Sequence, residues 1–231
     1  MRWFRKPLSL TGGRGSNPLP SAMSYRKSIL TTASEDRLER LIKERLRPRA
    51  NKERIDKRIW DLFGEDWCVM ATDLSGFSRN VAKFGIIHFL QTIYESERLL
   101  IPVIEDFDGI LLKVEGDSFL VIFRNVQKAI NASIRMQKVL KTYNRKKPPE
   151  EKVILCVGLG YGKVLRIGDE DVFGPEVNAA SKLGEDTAEA EEILVTQNVK
   201  ENAGKIKEIT FSKISFIPPG AKSAYKIIYK L

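Results

Sequence analysis

Two apolar runs, Leu111–Val114 and Phe119–Phe123, are separated only by Glu115-Gly116-Asp117-Ser118. Runs this close, parted by a glycine and an acid, close as a tight antiparallel hairpin with a carboxylate at its tip. That arrangement suits a metal ligand at a sheet edge, and equally an ordinary turn. The flanking segments decide what sheet the hairpin joins. Upstream, Trp67–Asp73 is an apolar strand ending in an aspartate, followed by a helical pattern from about Ser78 to Phe107 with a break near Gly85. Downstream, Val126, Ala129, Ile130, Met136, Leu140 and Tyr143 mark an amphipathic helix. Strands follow in "KVILCVGLGYG" and "KVLRIG", a short helix opens near Pro175, and "EILVTQ", "EITFSK" and "AYKIIYK" are closing strands. The order β-α-α-β-β-α-β predicts an α+β fold of ferredoxin-like, palm type, with helices mainly on one face of the sheet.

Before this unit the texture differs. Residues 1–34 contain Gly12-Gly13, Gly15 and the Pro18–Pro20 segment without steady periodicity, and read as a basic disordered leader. Being Arg- and Ser-rich and free of acids, the leader also has the composition of an organellar transit peptide. The capping-box pattern Thr32-Ala33-Ser34-Glu35 then opens a charged helical lead-in over residues 35–64, interrupted near Pro48 and suited to dimer contacts. The sheet-forming domain is expected over residues 65–231.

The net charge of +9 resembles a nucleic-acid signal until it is located. Arg2, Arg5, Lys6, Arg14, Arg26 and Lys27 all precede the first acid, Glu35, and leave only +3 for the rest, so no nucleic-acid partner is expected. No apolar run approaches the ~18 residues of a membrane span. Cys68 and Cys156 lack metal or disulfide spacing and read as buried thiols in a reducing compartment. A cytoplasmic location follows, with organelle targeting through the leader as the alternative.

Three clusters carry possible chemistry. Asp73 ends its strand before Leu74-Ser75-Gly76-Phe77, where Gly76 permits close backbone approach and a helix start offers free N–H groups to phosphate. Asp117, on the neighbouring hairpin, can face the same point; two carboxylates with water and phosphate oxygens describe a magnesium site. Lys113, four residues before Asp117, shares its strand face, either serving a ligand or snorkelling at an edge. Asn178 and Lys182 lie one helical turn apart, with Asp171 on the preceding loop; alone, they describe a capped polar surface helix. Competing schemes fail. His88 is the single histidine, and Gly158, Gly160 and Gly162 lack the last glycine of a dinucleotide fingerprint, Lys163 standing there in a strand-to-strand context.

The hairpin alone resembles the Gly-Gly-Asp-Glu-Phe signature of diguanylate cyclases, which gives Asp171, Asn178 and Lys182 no role. Taken together, Asp73-Leu74-Ser75-Gly76-Phe77, Lys113-Val114-Glu115-Gly116-Asp117, Asp171 and Val177-Asn178-Ala179-Ala180-Ser181-Lys182 resemble the class III nucleotidyl cyclases. The resemblance implies two divalent ions, Mg²⁺ or Mn²⁺, held by Asp73, Asp117 and the Leu74 carbonyl. It implies substrate contacts from Ser75, Gly76 and Phe77 to phosphate and from Lys113 and Asp171 to the base, with Asn178 orienting the ribose. The product would be a 3′,5′-cyclic mononucleotide plus pyrophosphate, and the site would form between two copies of the chain. The Lys113–Asp171 combination resembles the adenine-selecting one, favouring ATP among nucleoside triphosphates. Two departures stand out. Lys182 occupies the place of the transition-state arginine, keeping the charge but losing the planar fork. Ile217-Pro218-Pro219-Gly220 replaces a lysine–glycine-rich phosphate turn, with Lys222 the nearest cation.

Overall fold

The structure, a computed structural model, describes residues 22–75, 84–169 and 171–230. Helix α1 (Ala22–Arg45) and helix α2 (Lys52–Phe63) lead into β1 (Gly64–Leu74). Then come α3 (Ile86–Asp106), the hairpin β2 (Ile110–Glu115) and β3 (Ser118–Phe123), α4 (Val126–Asn144) and β4 (Leu155–Ile167). The chain closes with β5 (Asp171–Phe173), α5 (Pro175–Gly184), β6 (Ile193–Thr196), α6 (Gln197–Asn202), β7 (Thr210–Lys213) and β8 (Ala224–Ile228). Between β1 and β2 the described residues hold one helix, α3; of the helical segment expected ahead of Gly85, residues 78–83 lie outside the described residues. The remaining elements follow the expected α+β order, built on one sheet in the order β2-β3-β1-β4-β6-β8-β7, with β5 added to β4. The β4–β6 pair is parallel and the others are antiparallel.

Strand β1 is central because its sequence is apolar on both faces, as a strand covered from two sides must be. Cys68, Met70 and Leu74 point into the main core with Leu100 and Ile104 of α3 and Ala129, Ile130, Met136 and Leu140 of α4. Trp67, Val69 and Ala71 point to the other face, where Ala180 of α5 packs with Ile122, Val164 and Val172. Helices α3, α4 and α6 therefore share one face, and α5 packs on the other. Its seat is made by small residues: a Cβ on Gly158 would collide with the Ala180 carbonyl, and one on Gly184 with the Ala71 carbonyl. The glycines that imitate a dinucleotide loop in sequence thus let a helix lie directly on the sheet. Glu176 bolts the same helix down, accepting from the Tyr161 amide (3.0 Å), Thr196 Oγ1 (2.8 Å) and Asn198 Nδ2 (2.6 Å).

Several expectations are corrected. Helix α1 starts at Ala22, ahead of the capping-box pattern, because no proline or glycine follows Pro20 until Pro48. Of the expected disordered leader, residues 1–21 lie outside the described residues and the remainder belongs to α1. The two runs around Gly162 form one continuous strand, β4. Asp171 opens the short strand β5 rather than lying on a loop, since its neighbours pair with Leu165–Ile167. The lead-in packs on the sheet, where Leu41, Ile55, Ile59 and Phe63 bury against Ile167 of β4. Arg45 grips Asp56 through two hydrogen bonds of 2.5 and 3.0 Å.

Candidate active site

Asp73 lies on the α5 side of the sheet, being in register with Trp67, Val69 and Ala71. The β1–β3 ladder runs to Ala71–Leu120. One step further, the Thr72 hydroxyl accepts the Phe119 N–H at 3.1 Å, fixing the base of the hairpin turn beside Asp73. The turn itself has two residues between Glu115 and Ser118, with Gly116 at φ +63°, a conformation open to glycine at little cost. Asp117 is thereby delivered to the end of β1.

The electrostatics of the pair suit a bound cation. Burial, then the charge of Asp117, then that of Glu185 raise the Asp73 carboxyl to about 7, against a bond from the Leu74 amide. Burial raises Asp117 as well, and its Oδ2 is buried without a hydrogen-bond partner among the described residues. Two carboxyls and one orphaned, buried acceptor oxygen fit a hard divalent ion. Among the described residues no group of three His, Cys, Asp or Glu side chains could hold a metal. The remaining ligands would thus be backbone, water and substrate oxygens.

A second pair sits across the α5-side surface. Lys113 Nζ donates to Asp171 Oδ2 at 2.6 Å, and Asp171 Oδ1 accepts the Val172 amide at 2.9 Å. A bulge between Leu111 and Lys113 aims the lysine there. The pair lines a cavity of about 140 Å³ with Ser118, Val177, Ser181 and Glu185. Lys113 and Asp171 are each about a third exposed, so the pair is accessible to a ligand.

Residues 64–220 match the adenylate and guanylate cyclase catalytic domain family. The chain belongs to that family. Among curated relatives, it is 28% identical over 131 residues to the serine/threonine-protein kinase pkn2 of Myxococcus xanthus, covering 57% of this chain and 16% of that protein. It is 26% identical over 115 residues to putative adenylate cyclase 3 of Rhizobium meliloti, covering 50% of this chain and 19% of that protein. The chain thus spans less than a fifth of either relative's length. A solved adenylate/guanylate cyclase/hydrolase from Silicibacter pomeroyi shares the fold, with TM-score 0.62 at 20% identity over 72% of this chain and 98% of that one.

The cyclase domain does not bring every expected residue together. Asn178 and Lys182 are exposed on α5 and do not line the cavity holding Lys113 and Asp171. Lys182 instead forms an ion pair with Asp186, one turn on. The Ser75 amide donates to the Ile154 carbonyl at 2.8 Å, so it is not the free phosphate donor expected of it. Gly76 and Phe77 lie outside the described residues. The Pro218–Ala221 turn closes with a hydrogen bond of 3.1 Å from the Ala221 amide to the Pro218 carbonyl, and Gly220 abuts Pro175 at the start of α5. His88 is structural, its Nε2 lying 2.7 Å from the Glu150 carbonyl. Glu185 was missed. It is exposed at the end of α5, yet its carboxyl is pushed up, by burial first and also by Asp186 and Glu115. Its signal was present in the sequence, seven residues beyond Asn178 and so on the same helix face.

Proposed function

We propose that the chain is a nucleotidyl cyclase that converts a nucleoside triphosphate, ATP by preference, into the 3′,5′-cyclic mononucleotide and pyrophosphate. The observation that carries this reading is the Asp73–Asp117 pair with its orphaned buried oxygen, on the same sheet face as the accessible Lys113–Asp171 pair. Two divalent ions, Mg²⁺ or Mn²⁺, held by Asp73, Asp117 and the Leu74 carbonyl, would supply Lewis-acid activation of the ribose 3′-hydroxyl and neutralise triphosphate charge. In the reaction, the 3′-oxygen loses its proton and bonds to the α-phosphorus, while the bond from that phosphorus to the bridging oxygen of pyrophosphate breaks.

The chain's own residues choose the base. Lys113 has three N–H donors and Asp171 four lone-pair sites, so both can keep their mutual bond and still address a ligand. The lysine donates to adenine N1 and the carboxylate accepts from the 6-amino group. Guanine would present an N–H to the lysine and a carbonyl to the carboxylate, leaving both mispaired.

Asn178 and Lys182 face outward, which suits a homodimer in which each copy contributes them to its partner's carboxylate pair. Asn178 orients the ribose and Lys182 stabilises charge on the α-phosphate. Mixing Asp117→Ala and Asn178→Ala chains tests the whole reading. Product from the mixture, and from neither variant alone, supports a shared site; an inactive mixture under conditions where wild type is active overturns it. A second reading, nucleotide binding with little or no turnover, is favoured by the Lys182–Asp186 ion pair. ATP-dependent thermal stabilisation without product would establish it.

A further inference from the structure

The chemistry proposed above uses nothing on the α4 side of the sheet, yet charge is segregated there. From Val126 to Lys147 the chain has Lys128, Arg135, Lys138, Lys141, Arg145, Lys146 and Lys147, and no aspartate or glutamate. With 3.6 residues per turn, the first five of these fall within about 140° of arc and extend over about 25 Å, opposite the buried Ala129, Ile130, Met136 and Leu140. Lys128 is paired with Asp108, and Lys147 with Glu151 at 2.9 Å. Arg135, Lys138, Arg145 and Lys146 are exposed and have no hydrogen-bond or ion-pair partner among the described residues. The face continues onto the segment after α6, where Gln127 Nε2 donates to the Lys205 carbonyl at 3.3 Å and Lys205 and Lys207 are exposed. On the opposite flank α3 supplies acids, of which Glu95 is engaged by Arg98.

We propose that this cationic face of α4 docks the protein on an anionic lipid surface. The face is one helix backed by a sheet, not a groove. Its aromatic ring, Tyr143, is half-buried, with the Lys147 ammonium 5.1 Å from the ring centre, so it offers no platform on which bases could stack. Mobile anionic headgroups need neither groove nor stacking, only charges near the surface. Helix α4 packs on the sheet face opposite α5 and Asp73, so the docked domain keeps its nucleotide cleft toward water. Among the described residues no helix is long and apolar enough to cross a membrane, and the association is one of surface charge, weakened by salt.

The test is co-sedimentation of the full chain with phosphatidylcholine vesicles, with and without phosphatidylserine, and a parallel titration with single-stranded RNA. Sedimentation should require phosphatidylserine and be reversed by salt. At about fivefold per cation, the Arg135→Gln/Lys138→Gln/Arg145→Gln triple variant should partition about a hundredfold less, with an unchanged circular dichroism spectrum because the three side chains are exposed. Wild type that stays in the supernatant overturns the proposal, as does equal sedimentation with phosphatidylcholine alone. A triple variant that partitions like wild type also overturns it, placing attachment elsewhere in the chain. RNA binding at salt concentrations that abolish vesicle binding would make the face a nucleic-acid surface instead.

Discussion

Replacing Asp117 by asparagine should make the metal-free protein more stable while removing its activity. Asp73 titrates near 3.8 when free and is raised to about 7 in the fold, by burial and then by the charge of Asp117. At about 1.36 kcal/mol per pH unit this is an upper bound of roughly 4 kcal/mol against the ionised form. Two discounts apply. Burial, the larger cause, remains in the variant, and the half-buried pair is screened by water. The part that the Asp117→Asn substitution removes is therefore about 1 kcal/mol, worth about 2–4 °C in Tm for a chain of this size. The pH window follows from the direction of the shift. Between about 4 and 7 the folded protein holds a proton on Asp73 that the unfolded chain has lost, so wild-type stability falls as pH rises through this range. Asp117→Asn should fall less, its advantage being near zero at pH 4 and full at pH 8. Thermal unfolding of both proteins in a chelator, at several pH values, measures this. Manganese should then stabilise wild type much more than the variant. A variant less stable than wild type at pH 8, or a difference independent of pH, would refute the argument.

Three further outcomes follow from named contacts. Lys182→Arg restores a planar donor fork, and steady-state turnover should be unchanged or rise up to about tenfold; a fall would mean the site is built differently. Lys113→Glu replaces a donor by an acceptor and Asp171→Cys an acceptor by a donor, so the pair should move the GTP-to-ATP ratio of kcat/KM by at least about tenfold toward GTP. Gly158→Ala drives a methyl into the Ala180 carbonyl and should cost about 1–3 kcal/mol in urea unfolding.

The central strand and the hairpin were legible because their residue types leave few alternatives: β1 is apolar on both faces, and Glu115-Gly116-Asp117-Ser118 allows only a short turn. Asp73 and Asp117 could be paired from sequence for the same reason. Other features depend on contacts between distant segments. Gly158 and Gly184 have a reason only once α5 lies on β1 and β4. Strand β5 has three residues, too few for a period to register, so Asp171 read as loop. Glu185 looked like solvent-facing helix end because Asp73 and Glu115, the carboxylates whose charges act with its own, come from distant parts of the chain. The engagement of the Ser75 amide by Ile154 is equally non-local. Asn178 and Lys182 fit the motif in sequence, yet in the fold they do not line the cavity that holds Lys113 and Asp171, which spacing along one helix could not reveal.

The central claim is tested most directly by separating the products after the protein is incubated with ATP, GTP, CTP or UTP in the presence of manganese. The account predicts cyclic AMP and an equal amount of pyrophosphate from ATP, in excess of any other cyclic nucleotide, and none from Asp73→Ala. No cyclic product from any triphosphate, or a cyclic dinucleotide from GTP, would contradict it.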